Sequence, residues 1–436
     1  MNGSPPSTAE GHGLGIDLGT SGIRCCVIDG GRHIVAEARQ PGSEVHRPAP
    51  GHAEQRPDDW WRSLQRCLLD LPAGARGRIR HVTVDGTSST LLLADAAGGP
   101  LTPALMYNDR RATAEAARIE RLAPATSAAH GPSASLAKLL WLLRHHRAAN
   151  ARHALHQADW IGGRLSGRWG ISDWNNALKL GYDPVALRWP DWLDALPEAR
   201  PLLPDVVAPG SAIGHIDPAV AATLGLPANA TIHAGTTDST AAFIATGAHR
   251  VGEAVTSIGS TLVVKIVADK PIFAPEYGVY SHRLGNRWLV GGASNSGGAV
   301  LLQYFDVEQI EALSARIDPE KPSGLDFYPL PRPGERFPIN DPDLPPRIGS
   351  PDQYPPERFL HGLLEGIARI ECLAYQRLAE LGAPRPKRVV TAGGGAANPV
   401  WRRIRQRLLG CEVTAAGQGE ASYGAALLGQ GIPNAG

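Results

Sequence analysis

Lysine is scarce in this chain: Lys138, Lys179, Lys265, Lys270, Lys321 and Lys387 are its only lysines among 43 lysines and arginines. No Gly-Lys pair occurs anywhere, which excludes a P-loop, and no lysine cluster is present to tether a phosphate. An excess of either charge is missing too. The formal net charge of +1 argues against nucleic acid or an acidic membrane as partner. The five cysteines, Cys25, Cys26, Cys67, Cys372 and Cys411, have no CxxC spacing and no histidine-rich neighbourhood. That leaves free thiols in a reducing cytosol as the simplest account and a cytoplasmic location as the expectation. No run approaches the roughly 18 apolar residues of a membrane-crossing helix. The opening residues, through Gly13, are polar and small with no apolar core, so residues 1–13 read as a disordered tail and not as a signal peptide or anchor.

What is present is a repeated turn. Gly15-Ile-Asp-Leu-Gly-Thr-Ser-Gly-Ile-Arg returns in altered form as Ser257-Ile-Gly-Ser-Thr, each copy flanked by β-branched and apolar residues. Glycine lets backbone N–H groups close around an anion, and hydroxyls add donors. Two such hairpins suggest two phosphate-gripping loops, one at Thr20 and Ser21, the other at Gly259, Ser260 and Thr261. Asp17, in the first copy only, is placed to hold a cation against that phosphate; a hairpin with an incidental aspartate is the plainer alternative. The glycine run starting at Gly13 misses the dinucleotide fingerprint, because Leu18 stands where the third glycine belongs.

A length of 436 residues exceeds what one core sustains and predicts two domains. Strand patterns cover Leu14–Glu37 with Asp29-Gly30-Gly31 as turn, then Ile79–Val84 and Leu91–Ala94. Helix patterns cover Pro57–Leu71, Arg110–Arg121 and Ser135–His145. Glycines, tryptophans and prolines from Gly162 to Pro218 read as a loop-rich insertion. Thr231 onward reads strand, polar turn, helix. Beyond Glu253 the hairpin recurs, followed by a strand at Trp288–Gly291 and a long helix through Leu363, Ile367, Ile370, Ala374, Leu378 and Leu381, stopped by Gly382. A strand at Arg388–Thr391, a glycine loop and a basic helix to Leu409 close the second half. Strands alternating with helices in two halves imply α/β domains with a cleft between them.

Three constellations carry chemistry. Asp238 sits two residues into a helix opened by Thr236 and Thr237, where the helix dipole keeps a carboxylate ionised, fit to take a proton from a hydroxyl. A plain helix-terminal charge is the alternative there. Ser88, in the turn Asp85–Thr90, is placed to bond a polyol hydroxyl, against an ordinary strand-to-loop turn. Gly393–Gly395 lets a flat group approach the backbone, Asn398 offers an amide and Trp401 a ring face, against a tight strand-to-helix connection. His81 and His233 lie in strand patterns and read as satisfied polar residues.

With these pieces the chain resembles the FGGY carbohydrate kinases of the actin and hexokinase superfamily, from Leu14 to about Gly429. The motifs include Asp85-Gly-Thr-Ser-Ser-Thr, Asn176-Ala-Leu-Lys-Leu-Gly-Tyr, Ala234-Gly-Thr-Thr-Asp-Ser and Gly291-Gly-Ala-Ser-Asn. Within the family it looks most like the xylulokinase-like D-ribulose kinase group of cyanobacteria and plants. The resemblance implies two ribonuclease H-like α/β domains with a central cleft: 14–245 on the sugar side, 246–418 on the nucleotide side, and 419–436 as a helix and tail packing back on the first. It implies ATP and Mg²⁺ as cofactors and a ketopentose as partner, in a monomer or homodimer. By position Asp17 matches a metal-linked aspartate and Asp238 the catalytic base. Thr20, Ser21, Gly259, Ser260 and Thr261 match the phosphate loops, and Gly394, Gly395, Asn398 and Trp401 the adenine pocket. Typical xylulokinases carry Gly-Gln-Met-His-Gly where this chain has Asp85-Gly-Thr-Ser-Ser, so Ser88 replaces a sugar-contacting histidine. The implied reaction is phosphorylation of D-ribulose to D-ribulose 5-phosphate, with D-xylulose as the alternative acceptor and a non-catalytic sugar or nucleotide sensor as the alternative class.

Overall fold

The structure, a computed structural model, describes residues 11–146 and 149–431. The expected tail lies outside the described residues as far as residue 10, and it ends sooner than Gly13. His12 and Gly13 already belong to a strand, His12–Leu18, where the His12 N–H donates to the Arg78 carbonyl. Two compact units form, one from the chain up to Ala245 together with the segment from Glu420 onward, the other Thr246–Gly419.

Each unit is built on a six-stranded sheet. In the first, His12–Leu18 lies at the centre, antiparallel to Gly22–Ile28, which pairs antiparallel with Ile34–Pro41. On its other side it runs parallel to Ile79–Gly86, which runs parallel to Thr231–Thr237, with Ala212–His215 at the edge. In the second, Glu253–Ile258 holds the central place. It is antiparallel to Leu262–Ala268, itself antiparallel to Arg287–Ser294, and parallel to Arg388–Ala392, beyond which Glu412–Ala415 follows in parallel. Five of the six strands follow the same order in both sheets, and the sixth lies on opposite edges, Ala212–His215 beside Thr231–Thr237 and His282–Leu284 beside Arg287–Ser294. The two glycine-hydroxyl turns noted in the sequence are thus the same hairpin of that plan, at Gly19–Ser21 and Gly259–Thr261.

The central strand of the first sheet is buried on both faces, as a partly parallel sheet with helices above and below requires. One cover is the helix Ala421–Gly429, Ala-Ser-Tyr-Gly-Ala-Ala-Leu-Leu-Gly, whose small residues let it lie nearly on the backbone beneath. A Cβ at Gly15 would overlap the Ser422 carbonyl oxygen, and one at Gly424 the carbonyl oxygen of Ala241 in the helix Asp238–Ala245. These two glycines seat three backbones against one another. The long helix is Pro356–Glu380, with Leu363, Ile367, Ile370, Ala374 and Leu378 buried.

Three local readings change. The stretch from Gly162 is not all loop, because the helix Gln157–Ser166 runs through Gly162 and Gly163, and the missing Cβ at Gly163 admits the Trp169 ring against the backbone. Thr236 and Thr237 end a strand and do not open the helix; both are buried and paired beside Asp85 and Gly86, which leaves Asp238 as the first helical residue. The helix expected over Arg110–Arg121 starts at Thr113, since Arg110 and Arg111 are held in the loop, the first by its N–H on the Gly51 carbonyl and the second by its guanidinium on Asp109.

Gly424→Ala forces the two helices apart where no side chain can yield, an overpacking cost of about 1–3 kcal/mol or more. A chemical denaturation series should show that loss, accompanied by loss of any activity that depends on the helix starting at Asp238.

Candidate active site

Ligands of open α/β sheets gather at the carboxyl ends of parallel strands, and here that edge carries three aspartates. Asp17 ends the central strand, Asp85 stands directly beside it in register on the next, and Asp238 follows Thr237 at the end of the third. Asp17 is 3% exposed and accepts from the Arg24 guanidinium at 2.9 Å, whose Nε also faces Glu420 at 3.5 Å. Burial pushes its carboxyl up, against hydrogen bonds from Asp85 and Arg24 that pull it down. Asp85 is fully buried, and burial together with the charges of Asp17 and Asp238 drives its carboxyl well above the ordinary range. When both carboxyls are ionised neither Asp85 oxygen has a donor; as a neutral acid Asp85 donates to Asp17. Asp238 is half-buried at the first turn of its helix, with Oδ1 accepting from the Ser239 N–H at 2.6 Å. Asp85 entered the sequence reading as a turn residue only, and its alignment with Asp17 at a strand end was the signal that identified a third acid.

Below this edge lies a polar layer. Asp173 caps the short helix Trp174–Ala177 by accepting from the N–H groups of Asn175 and Asn176 and from the Asn176 side chain at 2.6 Å. Asn175 Nδ2 donates to Thr236 Oγ1 at 3.1 Å, which ties the cap to the strand that leads into Asp238. Asn176 Oδ1 is buried with no donor. Ser88, half-buried in the turn after Ile79–Gly86, has no protein partner for its hydroxyl among the described residues.

In the second unit the hairpin turn exposes Gly259 and Ser260, with Thr261 half-exposed, and the Gly298 N–H closes on the Gly259 carbonyl at 2.8 Å. Thr20 and Ser21 are exposed in the first hairpin in the same way. The glycine loop divides. Gly394 faces open space, whereas Gly393 and Gly395 pack against Ile258, so their lack of a side chain serves the fold. Asn398 is spent as well: Oδ1 caps the helix Pro399–Leu409 through the Trp401 N–H, and Nδ2 donates to Ser314. Trp401 is 3% exposed, its Nε1 on the Leu364 carbonyl, so it offers no ring face to a purine. The pattern Asn-Pro-x-Trp is a helix cap with a core anchor. Behind the loop Arg405 forms a two-point ion pair with Glu371 and donates to Thr391, while Thr256 donates to Glu371.

Two family models cover almost the whole chain: the N-terminal domain of the FGGY family of carbohydrate kinases at residues 13–245 and its C-terminal domain at 254–430. The chain belongs to the FGGY family of carbohydrate kinases. This FGGY chain is 28% identical to the xylulose kinase of Escherichia coli over 96% of its own length and 89% of that protein's, and 24% identical to the gluconokinase of Bacillus licheniformis over 95% and 86%. Among solved structures it superposes on a xylulose kinase of Brucella ovis with a TM-score of 0.85 at 25% identity, over 96% of this chain and 90% of that one. The two sheets are therefore the two domains of the actin/hexokinase-like fold.

Burial raises Asp173 to about 7, with the Asp159 charge adding to it. A carboxyl favoured in its neutral form stabilises the fold fully below about pH 4, and that contribution is lost as pH rises to about 7. Asp173→Asn keeps an oxygen for the two N–H groups, and its amide supplies the donor that Asn176 Oδ1 lacks once that side chain turns over. Thermal melts should show the variant gaining on the parent between pH 5 and pH 8; an unchanged difference across that range contradicts a neutral Asp173.

Proposed function

We propose that this FGGY kinase transfers the terminal phosphoryl group of ATP to the terminal hydroxyl of a ketopentose. The observation that carries the reading is Asp238 at the head of its helix, half-exposed beside the buried pair Asp17 and Asp85. Phosphoryl transfer asks a protein chiefly for positioning and charge neutralisation. Asp238 orients the acceptor hydroxyl and takes its proton as the new P–O bond forms. The exposed turns bind phosphate oxygens through the hydroxyls of Thr20, Ser21, Ser260 and Thr261 and the backbone around them, with Gly259 shaping its turn by donating its N–H to the Thr261 carbonyl, and Gly394 leaves room at the backbone for the nucleotide.

A hard divalent cation suits the acidic strand ends. Mg²⁺ keeps several waters and takes one or two carboxylates with the substrate phosphates, and Asp17 and Asp85 end neighbouring strands side by side. Asp17 is the residue to hold it, and bound there Mg²⁺ would neutralise phosphate charge.

The relatives bear the names xylulose kinase and gluconokinase, which favours D-xylulose over the D-ribulose implied by the sequence resemblance. D-ribulose stands as a second reading on one observation, the Asp85-Gly-Thr-Ser-Ser turn with Ser88 in place of histidine. The two sugars differ at C3, where one unpaired buried hydroxyl costs about 1–3 kcal/mol, a roughly ten- to hundredfold preference. ADP release measured with D-xylulose, D-ribulose and gluconate decides the acceptor. Turnover of a ketopentose is expected, D-xylulose leading; a D-ribulose lead establishes the second reading, and gluconate alone rejects both.

Asp238→Ala should lower sugar-dependent turnover by about 10²–10⁴-fold and leave nucleotide affinity nearly intact. Near-parental phosphorylation by the variant removes Asp238 from the chemistry.

A further inference from the structure

The turn that presents Ser88 is fastened at every other position. Thr87 donates its hydroxyl to Gln157 Oε1 at 2.9 Å and its N–H to the same oxygen at 3.1 Å. Thr90 meets the Thr87 hydroxyl at 2.6 Å and accepts from the Tyr107 N–H. Ser89 stands in the left-handed region at φ 67°, uncommon for a residue with a Cβ, and its buried hydroxyl has no partner. Its carbonyl accepts from Lys138 Nζ at 2.8 Å, and the same ammonium donates to the Met106 carbonyl at 2.7 Å.

Lys138 itself is 0% exposed, in the helix Ser135–His145, and among the described residues no carboxylate comes within ion-pair distance of it. A buried ammonium without an ionic partner is a poor way to stabilise a core, and a strained backbone residue is another cost. Both fall on one turn, and between them they fix the carbonyl after Ser88. A methionine of similar length would fill the same space without the desolvation of a charge.

We propose that Lys138 is a positioning residue for acceptor selection: by drawing the Ser89 and Met106 carbonyls to one point it locks the Thr87–Thr90 turn in the conformation that presents Ser88, and so sets the discrimination between ketopentose epimers. The proposal rests on the sugar-kinase reading above. Burial and the nearby Lys179 charge push the Lys138 amine well below its usual range, against the pull of the Asp109 charge, so the two carbonyl contacts are what hold its head in place.

The test compares Lys138→Met with the parent in three measurements: kcat/KM for D-xylulose and D-ribulose, KM for ATP, and hydrogen–deuterium exchange of the peptide spanning residues 85–92. Losing both donors leaves two carbonyls unpaired, so the expectation is a KM for the preferred sugar raised about tenfold and a narrowed epimer ratio, with KM for ATP unmoved. Exchange in the turn should accelerate. A merely structural lysine would lower the melting temperature and the active fraction, and leave the epimer ratio alone. A folded Lys138→Met with the parental ratio and parental exchange overturns the proposal. If that variant does not fold, Ser89→Gly relieves the φ 67° strain while keeping the lysine. It should fold at least as well as the parent and still narrow the ratio; an unchanged ratio overturns the proposal. A parent that phosphorylates neither sugar refutes the kinase reading instead, and the exchange comparison then decides the role of Lys138: faster exchange supports the tie and equal exchange overturns it.

Discussion

Three carboxyl groups meet at the carboxyl edge of one sheet with a single guanidinium to offset them, and much of the first unit follows from that imbalance. Asp17 and Asp85 are placed side by side by parallel register, which no side-chain rearrangement can undo. Two buried carboxylates in contact cannot both stay ionised without a cation or proton between them. Arg24 answers one of them and Asp85 answers the rest by holding its proton. Asp238 stands apart from that pair, half-exposed at a helix start.

This arrangement needs the strand ends to be held rigidly, and the glycines supply the rigidity by close approach. Gly15 lies under Ser422 and Gly424 under Ala241, so the strand leading to Asp17, the C-terminal helix and the helix headed by Asp238 share one contact. The segment after Glu420 is distant in sequence from both aspartates, yet it fixes the backbone that carries them. The polar layer of Asp173, Asn175 and Thr236 braces the same edge from the other side.

The sequence showed the parts of this that are local and periodic. The two hairpins, the long helix and the strand Arg388–Ala392 follow from alternation and three-to-four spacing, and they stand where those patterns put them. Asp17 and Asp238 stood out because each sits next to a glycine or threonine turn, and both lie at strand ends of one sheet. What failed depends on contacts that composition does not encode. Trp401 and Asn398 read as ligand groups because a tryptophan ring and an amide suit a purine, but the Leu364 carbonyl and Ser314 claim them first. Gly162 and Gly163 read as loop because glycine weakens a helix, yet the ring of Trp169 needs the space. Asp85 and Lys138 read only as parts of a turn and of a helix, since their meaning arises when segments distant in the chain are brought together, Asp85 beside Asp17 and Lys138 on the Ser89 carbonyl.

The duplicated sheet shows how one plan acquires two chemistries. In the first unit the paired residues at the strand ends are Asp17 and Asp85; at the corresponding step of the second they are Ser257 and Ala392. In the second unit Glu371 is buried and neutralised by Arg405 through two hydrogen bonds, and the buried Glu335 accepts from the Ser294 hydroxyl and the Asn295 N–H at the end of Arg287–Ser294. A turn of backbone N–H groups and hydroxyls suits a polyanion, because each phosphate oxygen finds donors there. An acidic rim suits hydroxyls and a metal ion for the opposite reason. At these two equivalent register positions the first unit therefore carries two carboxyl groups and the second a hydroxyl and a methyl group.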